Sequence, residues 1–166
     1  LMYTGYAAFN GPFVIRYPRG KGEMKDWRNE MQVLPIGKGK KLRDGDDIAV
    51  LSIGPIGNEV IKAIEMVKEA GVSIAHYDMI YLKPLDEELL HEIGQKYNRI
   101  ITVENGVIKG GFGSAVLEFM ADNGYTPHVK RIGVPDAFIE HGSIPELYQL
   151  CGMDAESIAK QLKKEN

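Results

Sequence analysis

Two arginines in the stretch RYPRG, Arg16 and Arg19, have residue types and a spacing that could do chemistry. Tyr17 and Pro18 stiffen the backbone between them, because the proline ring fixes its own φ angle and biases the preceding residue toward an extended conformation. A guanidinium held in this way presents a planar, permanently charged fork to a phosphate or a carboxylate. The pair could also tie a strand end to a neighbouring acidic residue, and the local sequence alone favours this structural interpretation.

His141, beside Glu140, is a second candidate because an imidazole next to a carboxylate suits acid–base catalysis. No serine or cysteine has a sequence context that would complete a nucleophilic triad, and Cys151 is expected on the buried face of a short helix. His141 is therefore a minor candidate. His76 lies in an apolar run and is interpreted as a core or edge histidine, and no His, Asp or Glu spacing predicts a metal site.

The glycine cluster KGGFGSA, which includes residues 110–114, opens a predicted helix. Its amides could bind an anion with help from the helix dipole. The cluster lacks the G-x-G-x-x-G fingerprint, however, and it follows the third apolar run rather than the first. Tight packing of a strand against a helix is the better interpretation, and Lys109 is then an ordinary surface lysine.

The bulk composition excludes several classes of function. The 166 residues are enough for one full domain and a short extra piece. A net charge of −3, from 20 basic and 23 acidic residues, gives no global positive field, so nucleic acid is not expected as a partner. One cysteine excludes an internal disulfide and fits a reducing compartment, so we expect a cytoplasmic protein. No apolar run approaches the ~20 residues of a membrane span, so no membrane partner is expected.

Four short apolar runs predict buried parallel strands. They are Ile48 to Ile53, Val72 to Tyr77, Ile100 to Val103 and Val129 to Val134. Helices are predicted over residues 58–70, from an Asp86 cap, over about 114–121, over 146–151 after a Ser143 capping box, and from an Asp154 cap to Leu162. In the first helix, the apolar face is expected to comprise Val60, Ile61, Ile64 and Val67. This alternation predicts an α/β fold with a doubly wound, mostly parallel sheet.

The first ~40 residues do not follow this alternation. We interpret Phe13 to Ile15 as a lone strand, and the charged, glycine-rich stretch after it as a linker. The predicted organisation is therefore residues 1–22 as the tail of a preceding domain, 23–39 as a linker and 40–166 as the α/β domain. The opening residues, LMYTGYAAFN, carry neither a helix cap nor a signal-peptide pattern, so we expect a fragment of a longer chain.

Five stretches in order, GPFVIRYPRG, LPIGKGKKLRDGDDIAVLSIG, YLKPLDEELL, TVENGVIKGGFGSAVLEF and IGVPDAFIEHG, resemble the C-terminal part of the 1-deoxy-D-xylulose-5-phosphate synthases. These are thiamine diphosphate-dependent enzymes of the transketolase type, with three α/β domains. The resemblance covers nearly the whole chain. It implies that residues 1 to about 22 finish the middle, pyrimidine-binding domain and that the rest forms a transketolase C-terminal-like third domain.

The resemblance implies an enzyme that joins pyruvate, decarboxylated on thiamine diphosphate, to glyceraldehyde 3-phosphate. This reaction begins the non-mevalonate route to isoprenoids and also feeds thiamine and pyridoxal phosphate synthesis. The family is homodimeric and uses Mg²⁺. Its G-D-G motif with a later asparagine is not found here, and the turn at residues 44–47 only mimics it. We therefore expect this piece to be inactive, to hold no catalytic residue and to bind neither cofactor nor metal, its partners being the remaining domains.

By the same resemblance, Arg19 holds the phosphate of the acceptor substrate, while a structural ion pair is the first interpretation for Arg16. Two alternatives stay open. One is the beta subunit of a 2-oxoacid dehydrogenase's decarboxylating component, which has a similar third domain but no phosphorylated acceptor to bind. The other is a non-catalytic regulatory module that binds a nucleotide or anion at residues 110–114.

Overall fold

The chain forms two compact units in the computed structural model, residues 1–36 and residues 37–166. The structure describes residues 1–18, residue 22 and residues 28–163. None of the helices in these described stretches is long and apolar enough to cross a membrane.

The first unit is built around one short helix, α1 (Met2–Ala8). Thr4 is buried, and its Oγ1 accepts a hydrogen bond of 2.9 Å from the backbone N–H of Leu34, which ties the two ends of the unit together. The strand expected at residues 13–15 is wrong. Val14 is 93% exposed, and the backbone there pairs with no strand among the described residues, so it has no ladder to join.

The second unit is a five-stranded sheet with helices on both faces. Its strands are β1 (Lys40–Arg43), β2 (Ile48–Ile53), β3 (Ile74–Asp78), β4 (Arg99–Val107) and β5 (His128–Val134). Its α-helices are α2 (Gly57–Met66), α3 (Glu87–Lys96), α4 (Phe112–Asp122), α5 (Ile144–Leu150) and α6 (Ala155–Leu162). The strand order is β1-β3-β2-β4-β5, parallel except for β1 against β3, which confirms the prediction of a mostly parallel α/β sheet.

The sequence did not predict β1. All four of its residues are exposed, and its sequence KKLR shows none of the apolar alternation that marks a half-buried strand. β1 pairs with β3 in antiparallel fashion, with Lys41 opposite Tyr77. The strand is therefore held by backbone hydrogen bonds at the sheet edge rather than by side-chain burial.

Alternation of side chains along the strands divides the core into two layers. One layer packs the sheet against α2 and α6, and its helical members are Val60, Ala63, Ile64, Ala155, Ile158, Ala159 and Leu162. The other packs the sheet against α3 and α4, with Leu90, Ile93, Phe112, Val116 and Met120 from the helices. Each fully buried Val, Leu, Ile, Phe or Met side chain contributes roughly 1.5 to 3 kcal/mol, so the two layers supply most of the stabilisation.

The helix predicted over residues 58–70 ends earlier than expected. α2 stops at Met66, and a short 3₁₀ turn carries the chain on to Ala70. Ile61 is 48% exposed, so the expectation that it lines the core is wrong. It follows the buried Val60 by one residue, a rotation of about 100° around the helix, which turns it away from the sheet.

The predicted helix caps at Asp86 and Asp154 are confirmed. The Asp86 carboxylate accepts from the N–H of Leu89 at 3.2 Å, and also from the N–H of Gly39 at 2.9 Å. Asp154 accepts from the N–H of Ser157 at the start of α6. Asp86 therefore does two things, since it caps α3 and fixes the segment that leads into β1.

His76 on β3 is a buried core histidine, as predicted. It is 1% exposed, and its Nε2 lies 2.8 Å from the Oγ of Ser52 on the neighbouring strand β2. Burial disfavours the charged imidazolium and lowers the pKa of His76 from 6.5 to about 4. The folded protein therefore holds this side chain neutral at physiological pH.

This pKa predicts an acid-sensitive stability. Between about pH 6.5 and pH 4 the unfolded chain binds a proton at His76 that the folded chain does not, so the free energy of unfolding should fall by about 3 kcal/mol over this window. Urea denaturation from pH 4 to 7.5 measures it. His76→Gln keeps a polar group but cannot titrate, so its profile should be flatter, whereas His128→Gln, at an exposed position, should follow the wild type. An unchanged slope in His76→Gln contradicts the assignment.

Candidate functional site

The carboxyl ends of the four parallel strands form the edge where ligands bind in open α/β sheets. From β2 the chain moves to β3 on one side of the sheet and later returns to β4 on the other side. The topological switch point therefore lies between β2 and β4. Glu104 on β4, opposite Ile53 on β2, occupies this position.

Glu104 is a buried carboxylate, 5% exposed, that binds the amino end of α4. Its Oε2 accepts from the N–H of Phe112 at 2.9 Å, and its Oε1 accepts from the N–H of Gly113 at 2.8 Å. Both hydrogen bonds are charge-assisted, and the helix dipole adds to them. The anion at this helix terminus is therefore a side chain of the protein itself.

Three glycines make room for this carboxylate. A Cβ atom at Gly111 would lie 2.3 Å from Oε2 of Glu104, and one at Gly106 would lie 2.9 Å from the same atom. A Cβ atom at Gly133 on β5 would lie 3.0 Å from the Cγ of Glu104. The glycine-rich sequence thus permits close packing of strand and helix, as predicted. The role of Glu104 itself was missed, although a glutamate that ends an apolar run just before a glycine cluster was a usable signal.

The remaining polar groups of this loop also bind within the protein. The N–H of Gly110 donates to the Oγ of Ser114 at 3.0 Å, and Nη1 of Arg131 donates to the same oxygen at 2.8 Å. Lys109 forms an exposed ion pair with Asp136 at 3.0 Å, which confirms it as a surface lysine. The amides of residues 110, 112 and 113 are thus already used, and this disfavours an external anion at the loop.

A half-open pocket of about 370 Å³ lies beside the loop that follows β5. Ile139, Glu140 and His141 form part of its wall, and α5 forms another part. His141 is exposed at this position. Cys151, expected on a buried helix face, is half-buried just after α5, where it lines the pocket and packs against the α2/α6 layer of the core.

Helix α5 begins at the predicted capping box. The backbone N–H of Ser143 donates to Oε2 of Glu146 at 3.0 Å, and the Ser143 side chain completes the motif. The Ser143 hydroxyl also donates to the Glu146 carboxylate, and this hydrogen bond, followed by the one from the Ser143 N–H, lowers the pKa of that carboxyl. No residue of α5 is buried, so capping rather than packing defines where this helix starts.

Of the two arginines of the RYPRG stretch, Arg16 falls in the first unit. Arg19 lies outside the described residues. Arg16 is exposed, and the ion pair expected for it is not found among residues 1–18, 22 and 28–163. In the same described stretches, no group of three or more His, Cys, Asp or Glu side chains is placed to hold a metal ion.

The parallel sheet, with its glycine-lined carboxylate at the switch point, belongs to a known class of domain. The family model described as "Transketolase, C-terminal domain" matches residues 37–158, and the chain belongs to this family. Within it, the chain is similar to 1-deoxy-D-xylulose-5-phosphate synthases. It is 98% identical over 166 residues to the one from Parabacteroides distasonis and 60% identical over 166 residues to the one from Bacteroides thetaiotaomicron.

These two alignments cover 100% and 99% of this chain but 26% of each relative. The chain thus spans about a quarter of the length of these curated relatives, and it matches their C-terminal region. The family resemblance noted from the sequence motifs is confirmed.

Two solved structures share the fold. A split-gene transketolase, described as an "inactive beta4 tetramer", is 30% identical with a TM-score of 0.70. The match covers 80% of this chain and 45% of that one. A transketolase from Campylobacter jejuni is 13% identical with a TM-score of 0.56, over 75% of this chain and 18% of that one. The second comparison shows the fold alone.

The hydrogen bonds between Glu104 and the amino end of α4 generate a prediction about stability. Glu104→Gln keeps the shape of the side chain but removes the charge at the helix terminus. It also places the NH₂ donor of the amide against a backbone N–H donor, so it should lower the free energy of unfolding by about 2 to 3 kcal/mol. Glu118→Gln on the exposed face of the same helix is the matched control and should change stability little. Urea denaturation compares them, and equal midpoints for both variants contradict the structural role of the Glu104 carboxylate.

Proposed function

We propose that the chain serves as the C-terminal domain of a 1-deoxy-D-xylulose-5-phosphate synthase. The complete enzyme condenses pyruvate, after decarboxylation, with glyceraldehyde 3-phosphate. This reaction begins the non-mevalonate route to isoprenoids and also feeds thiamine synthesis. The observation that carries this proposal is the 98% identity of the whole chain to the synthase from Parabacteroides distasonis.

The proposal assigns chemistry and architecture to different parts of the enzyme. Thiamine diphosphate supplies the carbanion chemistry when bound. We assign its binding, together with Mg²⁺, to other domains. The division into residues 1–22, 23–39 and 40–166 belongs to the proposal, and the compact unit and the family match, which both begin at Gly37, support a boundary in this region.

The catalytic domains of the same enzyme and a second copy are the partners that fit this assignment. The split-gene transketolase at 30% identity is described as a tetramer, which supports self-association. The net charge of −3 argues against nucleic acid, and the single cysteine fits a reducing, cytoplasmic location.

Two observations weigh on the alternatives. The RYPRG stretch suits a phosphorylated acceptor, which a 2-oxoacid dehydrogenase component does not use. The internal hydrogen bonds of Gly110, Phe112 and Gly113 disfavour an anion-binding regulatory module at that loop. The synthase assignment is therefore the one retained.

Within this assignment Arg19 binds the phosphate of glyceraldehyde 3-phosphate. The support is the sequence, in which a proline-stiffened arginine precedes a glycine, and the family resemblance. Arg16 and His141 are weaker candidates for contact with substrate. Both side chains are exposed.

The Arg19 assignment predicts a substrate-dependent effect in the complete enzyme. Arg19→Ala should lower kcat/KM for glyceraldehyde 3-phosphate, because charge-assisted hydrogen bonds to the phosphate are lost. The expected loss of transition-state stabilisation is about 2 to 4 kcal/mol. An unphosphorylated aldehyde acceptor should lose less. Arg19→Lys should recover part of the loss, since an ammonium keeps the charge but not the planar fork.

Arg16→Ala, measured in the same experiment, tests whether Arg16 contacts the substrate. If Arg16 is structural, it should affect the phosphorylated and unphosphorylated acceptors equally. Steady-state kinetics with both acceptors decides the matter, and equal losses for the two acceptors in Arg19→Ala would show that Arg19 is structural too.

The assignment of cofactor binding to other domains predicts that the 166-residue chain alone does not bind thiamine diphosphate. Calorimetric titration of the folded chain with thiamine diphosphate and Mg²⁺ should give no saturable heat. The complete enzyme, titrated in parallel, should bind. Saturable binding by the chain alone in the micromolar range overturns this part of the proposal.

A further inference from the structure

Strand β1 is the part of the sheet that the core does not hold. All four of its side chains are exposed, whereas β2, β3, β4 and β5 each contribute buried side chains. Its pairing with β3 is also irregular between Lys41 and Arg43. The position of β1 therefore depends on its backbone hydrogen bonds and on the groups that bind its two ends.

The segment that leads into β1 is bound by one carboxylate. Oδ2 of Asp86 accepts from the N–H of Gly39 at 2.9 Å, and Oδ1 accepts from Nζ of Lys38 at 3.3 Å. Asp86 is 5% exposed, so both hydrogen bonds are charge-assisted and partly shielded from water. The start of β1 is thus bound to the start of α3.

Two glycines let this segment lie directly against α3. A Cβ atom at Gly39 would lie 2.8 Å from Cδ2 of Leu89, and one at Gly37 would lie 2.8 Å from Cγ of Pro84. Gly37 also has a φ of +71°, in the left-handed region that favours glycine. Larger side chains at either position would push the segment away from Asp86.

The other end of β1 is held by buried groups. The carbonyl oxygen of Gly45 accepts from the hydroxyl of Tyr97 at 2.7 Å, and Tyr97 is 2% exposed. Two residues later, the N–H of Asp47 donates to the carbonyl oxygen of Ser73 at 2.8 Å. The turn at residues 44–47 therefore belongs with the core, and β1 is firmly attached at this end.

The strength of these contacts indicates which end of β1 releases first. The ion pairs of Lys41 with Asp44 and of Arg43 with Glu65 are exposed, and exposed pairs contribute little to stability. Local opening is easiest where few apolar groups are buried and where backbone hydrogen bonds lie at the surface. β1 meets both conditions, so the contacts with Asp86 are the main ones that keep its first residues in place.

We propose that residues 37–43 form a strap that opens from its start while β2, β3, β4 and β5 stay paired, with the turn at residues 44–47 as its hinge. The Asp86 carboxylate holds the strap closed. Opening exposes the outer edge of β3 as far as Asp78, its last residue, at the carboxyl edge of the sheet. The strap also begins the second unit, so a displacement of the chain before it acts on the Asp86 contacts before it acts on the core. This inference does not rest on the proposed function.

Native-state hydrogen exchange, followed by NMR on the 166-residue chain, tests the proposal. The protected amides of residues 39–43 should exchange roughly tenfold or more faster than those of β2 and β4, and their rates should respond little to low urea concentrations. The amide of Asp47, beyond the hinge, should exchange with β2. If residues 39–43 exchange only together with β2 and β4, the strap does not open separately and the proposal is overturned.

Asp86→Ser separates the strap contacts from the helix cap. Serine caps helices about as well as aspartate, but its single hydroxyl cannot accept from Leu89 and Gly39 together and carries no charge for Lys38. Exchange at residues 39–43 should therefore rise roughly tenfold, because a hydrogen bond to a charged group is lost, whereas the first-turn amides of α3 should change little.

Asp154→Ser is the matched control, because Asp154 caps α6 at Ser157, and α6 packs on the opposite face of the sheet from α3. It should leave the exchange at residues 39–43 unchanged relative to β2. An equal effect of the two variants on these residues, or no effect of Asp86→Ser, overturns the role of Asp86 in holding the strap.

A reversible cross-link provides an independent test. Residues 40 and 78 are paired between β1 and β3, and the Cα atoms of antiparallel partners lie about 4.5 to 5.5 Å apart, which a disulfide can bridge. Lys40→Cys and Asp78→Cys, combined with Cys151→Ser, leave one possible intramolecular pair. Exchange at residues 41–43 should be roughly tenfold or more slower in the oxidised protein than in the same protein after reduction. Equal rates in the two states contradict the opening of the strap.

Discussion

The hydrogen bonds between Glu104 and the amino end of α4 hold the carboxyl edge of this domain together. The carboxylate lies on β4 at the switch point, and its two acceptors bind consecutive amides of the helix that leads to β5. Because the charge is buried, it must be satisfied by groups placed to within tenths of an ångström, which the three surrounding glycines permit. The edge where open sheets usually bind a ligand is thus filled by the protein's own anion.

This internal anion occupies the amino end of α4, so the amides of Phe112 and Gly113 are not free to bind an external ligand at the switch point. The adaptable surface of the domain lies further along the same edge, in the loop after β5 and in α5. Many side chains there are exposed, so their substitution does not break the buried hydrogen bonds of Glu104.

Periodicity and capping residues predicted most of this fold. The run from Ile48 to Ile53 matched β2 to the residue, and the Asp86 and Asp154 caps were confirmed, because buried strands and helix starts leave local signals. The strand β1 left none, since an exposed edge strand is specified by its neighbour. The site was harder to predict, because the partnership of Glu104 with α4 depends on distances that sequence spacing does not contain.

Charged and polar side chains line both edges of the sheet. β1 presents Lys40, Lys41 and Arg43 along one edge, and β5 presents His128 and Lys130 along the other. Lys41 and Arg43 also form ion pairs with Asp44 and Glu65. A further strand that paired with either edge would have to accommodate these side chains, so the addition of a strand to the sheet is disfavoured.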